Sequence, residues 1–413
     1  GEAFQQSKMN KPAPSINRNL IAFILACLAA IGPFSIDTYL PAFPEIRASL
    51  NASQASLQQS LTAYLLPYCF MILWHGAISD SIGRRKTVLI GLAVYTLASI
   101  GCATAPNIQA LLVCRGIQGL AAGAGMVVGR AMIRDLFEGA AAQRLMAQVQ
   151  MIFGIAPAIA PIIGGWLLGL FNWHATFWFL ALFAIALMIL VWKYLPETLD
   201  PAKRQSLLPA KVMGNFQKVF SHKSMLPLAL TVGCNFGGFF LYVLAAPIFL
   251  LEHLRGSNQG FAWLFVPTVT GMILCSYTSR RLAGKRTPAQ TVSLAYYVMF
   301  AATALNIFVC LFVEPGVPWS VIPIMIYNFG MALAMPTITL LALDVFPTMR
   351  GLVSSAQAFI QTLISTVSAG LVVPLLYHSP LKMALGMAAF MILGFVAWRK
   401  YSRDLRGTEG TMA

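Results

Sequence analysis

The sequence predicts an all-α membrane protein, with twelve transmembrane helices in two six-helix halves. Three observations carry that prediction. First, 58% of the 413 residues are hydrophobic and only 10% are charged. A soluble domain carries about 25% charged residues, so these few charges could not cover a water-facing surface of this size. Second, twelve apolar segments can be laid out: residues 19–41, 56–77, 87–104, 107–129, 145–170, 174–195, 225–250, 261–280, 289–313, 320–343, 351–376 and 381–399. They are of bilayer-crossing length for helices and too long for barrel strands. Helices also satisfy their own backbone groups, as lipid demands. Third, the longest polar stretch, Pro196 to Ser224, falls between segments six and seven. It divides the chain into an N-terminal tail (1–18), a first bundle (19–195), a central loop (196–224), a second bundle (225–399) and a C-terminal tail (400–413).

Charge fixes the expected orientation. Lys and Arg number 28 against 13 acids, a net charge of +15. Such an excess can suit nucleic acid, but the basic residues are scattered over short loops and form no single face. Topology accounts for them better. With the N-terminus inside, all but four lie on cytoplasmic stretches; Arg47, Arg255 and Lys382 lie outside and Arg115 lies within a segment. That bias puts both termini in the cytoplasm.

The seven cysteines all fall in apolar segments, where they read as small buried hydrophobes. The five histidines lack ligand spacing, and no glycine-rich nucleotide loop is present. Neither a metal, nor ATP, nor an enzymatic constellation is expected. Residues before Met9 read as a poorly ordered or appended tail and are set aside.

In chain order, segment one ends in Phe34-Ser-Ile-Asp37-Thr-Tyr39-Leu-Pro41. Asp37, with Arg115 in segment four, supplies the two formal charges expected well inside the membrane. Each costs several kcal/mol there and normally faces a cavity or an opposite charge. The plainer readings are a helix-end residue in the outer headgroup layer for Asp37 and a bridge to backbone carbonyls for Arg115. Arg115, Gln118, Gly119, Ala122 and Met126 share one helical face. Segments two and three are joined by Gly76-Ala-Ile-Ser-Asp80-Ser-Ile-Gly83-Arg84-Arg85-Lys86. Gly83 permits a sharp reversal, Gly76 lets another backbone approach, and the cations hold the loop inside. Topology does not explain Asp80.

Segment five contains Gly154-Ile-Ala-Pro157-Ala-Ile-Ala160-Pro161-Ile-Ile-Gly164-Gly165. Prolines four apart should bend it, and the small residues should allow close packing. In the second half, Asn235, Phe236, Phe239, Tyr327, Asn328, Gln357 and Gln361 read first as interhelical contacts. Asn235, Phe239 and Tyr327 are retained as candidate cavity residues. Arg280-Arg281-Leu-Ala-Gly284-Lys285-Arg286, after segment eight, repeats the basic end of the Asp80 stretch without its acid.

These motifs carry a resemblance. G-x-x-x-D-x-x-G-R-R-K between segments two and three resembles the corresponding loop of the major facilitator superfamily of secondary transporters. R-x-x-Q-G from Arg115 resembles the fourth-helix motif of its proton-coupled members. Pro157, Pro161, Gly164 and Gly165 resemble the helix-five antiporter motif, with Ala156 and Ala160 in place of its first glycines. Asp37-Thr-Tyr39-Leu-Pro41, Arg134-Asp135, Trp173-His174-Ala-Thr-Phe177, Pro196-Glu197-Thr198 and Gly351-Leu-Val-Ser-Ser-Ala356 resemble the bicyclomycin and chloramphenicol resistance (Bcr/CflA) branch of drug:proton antiporters.

The resemblance implies a multi-pass protein of the bacterial inner membrane that exports small, largely apolar or amphiphilic compounds in exchange for protons. Proton-coupled export or symport of a cellular metabolite is the alternative. Protons are the coupling ion, no cofactor is required, and the partners are drugs and the bilayer. Nucleic acid is not a partner, and the protein is expected to be a monomer. Asp37 and Arg115 are expected to couple protons. Asp37, Tyr39, Arg115, Gln118, Met126, Asn235, Phe239 and Tyr327 should line the cavity. Gly76, Asp80, Gly83, Arg84, Asp135 and Gly351 should latch the cytoplasmic side.

Overall fold

The computed structural model describes residues 17–245, 249, 262–282, 284–317 and 319–411. The residues before Met9, Arg255 and the side chain of Pro157 lie outside that description. The chain runs as α1 (Arg18–Asp37), α2 (Phe43–Ser49), α3 (Gln54–Ile82), α4 (Arg84–Ala103), α5 (Ile108–Ala122), α6 (Ala124–Leu136), α7 (Gly139–Leu170), α8 (Trp173–Tyr194), α9 (Pro209–Ser221), α10 (Met225–Leu244), α11 (Ala262–Leu282), α12 (Pro288–Phe312), α13 (Ile322–Val345), α14 (Arg350–Val367), α15 (Val373–Leu376) and α16 (Pro380–Thr411).

Each of the twelve apolar segments is predominantly helical over its described residues, with α5 and α6 together forming the fourth. Among the described residues, nine helical stretches are long and apolar enough to cross a bilayer, and the bent α7 is a tenth. The remaining two crossings are α11, which ends on Arg280 and Arg281, and α14. The polar Ser354, Ser355, Gln357 and Gln361 of α14 are all buried, because α14 packs along α3 and α6 of the other half. The second line of contact between halves is α7 against α11 and α13.

Several boundaries differ from the sequence reading. The Asp80 stretch is not a loop: α3 runs to Ile82, Gly83 alone intervenes at φ +106°, and Arg84 begins α4. A left-handed backbone suits glycine because there is no Cβ to clash. Gly284, just beyond α11, repeats the device at φ +79°. The fourth crossing continues past residue 129 to Leu136, which brings Arg130 inside it. The axis of α7 turns by 47° between Gly139–Ala156 and Ile159–Leu170, beside the prolines that remove a helical hydrogen bond.

The central loop holds a helix, α9. Its Val212, Phe216 and Val219 are buried, and Phe216 meets Trp74 edge-on at 6.0 Å. The stretch expected as a C-terminal tail continues α16 as far as Thr411.

Candidate functional sites at the seam between the halves

The end of the bundle where α3 hands over to α4, here the basic end, is closed by a dense polar network. Asp80 is 1% exposed. Its carboxylate accepts from Gly351 N at 3.1 Å and Leu352 N at 2.9 Å. These are two of the unpaired amides at the start of α14, where the helix dipole favours an anion. Arg84 Nη1 donates to Asp80 at 2.5 Å and to Ser79 Oγ at 2.9 Å, while its Nε donates to Asp135 at 3.0 Å. Arg350 reaches the other oxygen of Asp135 at 3.4 Å. Gly76 N donates to Ser355 Oγ at 2.7 Å, and a Cβ on Gly76 would overlap the Gly351 carbonyl. The structure thus brings Gly76, Asp80, Gly83, Arg84, Asp135 and Gly351 together. Arg134 of α6 pairs with Asp344 of α13 at 2.6 Å, and Gln143–Thr337 at 3.2 Å and Gln150–Thr339 at 3.1 Å extend the closure along α7 and α13.

Glu197 is a further member of this site, marked in the sequence only by the Pro196-Glu197-Thr198 motif. Its carboxylate accepts from Arg84 N at 2.9 Å and Arg85 N at 3.1 Å, capping α4 from 113 residues away. Thr198 donates to Asp135 at 2.7 Å. The Pro196-Glu197-Thr198 turn therefore holds the first turn of α4 and the shared acid at once. Glu197→Ala is expected to cost about 1–2 kcal/mol, the usual range for a lost cap. The fall should appear in the melting temperature of the detergent-purified protein.

The inner charges are arranged differently from expectation. Arg115 is fully buried. Its Nη1 donates to Ser35 O and Gln118 Oε1, both at 2.9 Å. Its guanidinium carbon lies 4.4 Å from the Tyr39 ring centroid and 4.5 Å from that of Tyr64. Such a sandwich is favourable to a desolvated cation. Asp37 is half-buried at the end of α1 and makes no hydrogen bond or ion pair among the described residues. Asp37 and Arg115 are not ion-paired: the Ser35 carbonyl, Gln118 Oε1 and two aromatic faces hold the arginine in place of a carboxylate.

The expected cavity residues are also placed inside the halves. Tyr39 contacts Ser60 at 2.5 Å and Gln118 donates to Ser99 at 2.9 Å. Tyr327 donates to Asn235 O at 2.7 Å, and Tyr296 donates to Asn235 Oδ1 at 3.0 Å. Met126 and Phe239 are core residues. The gap at the seam is lined by others, namely Met151 and Phe153 of α7, Phe236 of α10, Met272 of α11, and Met331 and Met335 of α13. Gln150 and Ser276 are polar side chains in its lining, and Gln150 Oε1 lacks a partner among the described residues. The gap measures about 20 Å³, of the order of a single water site.

The paired glycines of α7 separate cleanly. A Cβ on Gly164 would overlap the Thr38 carbonyl, whereas one on Gly165 would meet nothing within 4 Å. Gly164→Ala is therefore expected to destabilise by about 1–3 kcal/mol, as overpacking does. Gly165→Ala should be neutral or slightly stabilising. Melting curves of the two variants check the contrast.

Arg130 was not anticipated as an inner charge. It is 2% exposed, and its Nη1 has no partner. It lies three residues beyond Val127, whose carbonyl accepts from Ser354 Oγ at 2.7 Å. It is also four residues before Arg134, so it shares the helical face that meets the other half. Arginine four residues apart on an amphipathic inner helix was the available signal.

Comparison with known proteins gives a consistent result. The Major Facilitator Superfamily model matches residues 25–369. The uncharacterized MFS-type transporter YdgK of Bacillus subtilis is 34% identical, covering 86% of this chain and 89% of that one. The bicyclomycin resistance protein homolog of Haemophilus influenzae is 29% identical over 67% of this chain and 69% of its own. The multidrug resistance protein MdtL of Escherichia coli is 27% identical, over 81% and 83%. Among solved structures, the proton:xylose symporter XylE aligns with a TM-score of 0.71 at 12% identity, over 92% of this chain and 95% of that one.

Proposed function

This chain belongs to the Major Facilitator Superfamily, and from that premise we propose that it falls on the drug-antiporter branch and exports small apolar or amphiphilic compounds, phenicol- or bicyclomycin-like, in exchange for protons. It is a multi-pass membrane transporter and not an enzyme. In this reading it sits in the bacterial inner membrane with the basic end and both termini in the cytoplasm. The observation that carries the substrate class is the gap between α7, α10, α11 and α13. Four methionines and two phenylalanines line it, and flexible thioethers adapt to many apolar shapes without imposing a hydrogen-bond pattern. At its present volume the gap admits no drug, so loading requires the halves to part at the basic end. The closing network there holds the outward-facing arrangement. Asp37 is the proton-exchanging group, and Arg115, held on the Ser35 carbonyl two residues before it, is the fixed cation at the same helix end.

Accumulation of labelled chloramphenicol in cells lacking their own exporters tests the reading. Expression should lower cell-associated drug, and a protonophore should cancel the difference. Equal accumulation with and without the protein, for every apolar compound tried, would overturn it.

A further inference from the structure

A second cavity, of about 410 Å³, opens at the basic end between α1 and α7 of one half and α11 of the other. Its lining includes Arg18, Arg144 and Arg280, with Phe137, Leu145 and Gln148. No acid lines it: Glu138, the carboxylate nearest in sequence, is not among the lining residues. None of the three guanidiniums has a hydrogen bond or ion pair among the described residues. Arg18 rests over the Phe137 ring at 5.5 Å.

The depth of the cavity follows from helix ends. Arg18 is the first residue of α1, a 20-residue helix, and at 1.5 Å per residue such a helix spans the hydrocarbon core of about 30 Å. Arg280 lies in the last turn of α11, and Arg144 lies within two turns of the start of α7. The three cations therefore sit at the headgroup layer, above an apolar floor formed by Phe137 and Leu145.

We propose that this cleft binds a phosphate group, and the apolar floor favours one carried by an anionic phospholipid of the basic-end leaflet. Basic pockets between transmembrane helices suit such headgroups. The arrangement also gives the anion a conformational effect. Closure brings Arg18 and Arg144 of one half toward Arg280 of the other, and like charges oppose that approach. A bound phosphate bridges them. It binds the closed arrangement better than a parted one, and so shifts the population toward closure.

The test uses the full purified chain and native mass spectrometry, with dioleoyl phosphatidylglycerol and dioleoyl phosphatidylcholine at equal concentration. Phosphatidylglycerol is expected to be retained in preference, by about tenfold or more given the gain per cation near a charged headgroup. The double variant Arg144→Gln/Arg280→Gln should lose the preference, while Arg144→Lys/Arg280→Lys should keep most of it. A Lys203→Gln/Arg204→Gln variant, altered in the central loop, should behave as the parent. A third arm adds inorganic phosphate. Displacement of the lipid assigns the site to phosphate from either source, and its failure assigns it to the lipid. Equal retention of the two lipids by the parent, or an undiminished preference in the glutamine variant, would overturn the proposal.

Discussion

Asp37→Asn is expected to abolish proton-driven export while leaving the folded protein intact. The side chains are nearly isosteric, and Asp37 makes no hydrogen bond or ion pair among the described residues that the change could break. Its effect on stability should thus stay within about 0.5 kcal/mol, as for substitutions away from buried networks. Its charge, by contrast, stands at the end of α1, two residues beyond the carbonyl held by Arg115. Adding or removing a proton there changes the field at a cation already stripped of water. Asparagine cannot make that change, so a transmembrane pH gradient has nothing to act on. Resistance should fall to the level of cells without the protein, with unchanged amounts in the membrane and an unchanged melting temperature. A variant that still confers full resistance would remove Asp37 from the mechanism. A variant that is lost from the membrane would instead show that the residue is structural.

The crossings were legible because lipid imposes one rule on every residue that faces it, and length plus apolarity records that rule directly. The basic-end site was legible for a related reason. Asp80, Gly83 and Arg84 are close in sequence, and the single left-handed residue that joins two helices leaves a glycine in a fixed place. Glu197 was not legible as a cap, because nothing local ties a turn after the sixth crossing to the first amides of the third. The seam gap was misread through polarity. Asn235, Tyr327 and Gln118 looked like cavity residues because they are polar, yet in an apolar bundle polar groups first satisfy one another, as Tyr327 and Asn235 do. Met151, Met272 and Met335 line the gap, but in sequence they cannot be told from methionines that face lipid. Arg130 escaped notice because the fourth crossing was ended at residue 129, the position before it, although the helix runs on to Leu136.

Asp80→Asn is expected to part the basic end. In the closed arrangement the carboxylate accepts from two amides of α14 and from Arg84, all at 2.5–3.1 Å and at 1% exposure. Asparagine offers one acceptor oxygen and a donor amide, so Gly351 N and Leu352 N cannot both keep their partner. Arg84 is left with Asp135 as its remaining acid. Breaking a buried charged pair by removing one partner costs about 3–5 kcal/mol. Because α14 belongs to the other half, its share of that cost falls on the closed arrangement and largely vanishes once the halves part. An inversion from 99:1 to 1:99 needs about 5.5 kcal/mol of differential stabilisation. The substitution should therefore bring the two arrangements to comparable populations or reverse them. Lys86 and Thr348 are exposed and flank the two ends of the contact, so spin labels at Lys86→Cys and Thr348→Cys report the separation directly. The parent should give one short distance, and Asp80→Asn a second, longer population at the expense of the first. Gly76→Ala, whose Cβ would overlap the Gly351 carbonyl, should move the distribution the same way without touching a charge. Identical distributions in the parent and both variants would mean that the network seals nothing, and that the arginines after Gly83 serve orientation alone.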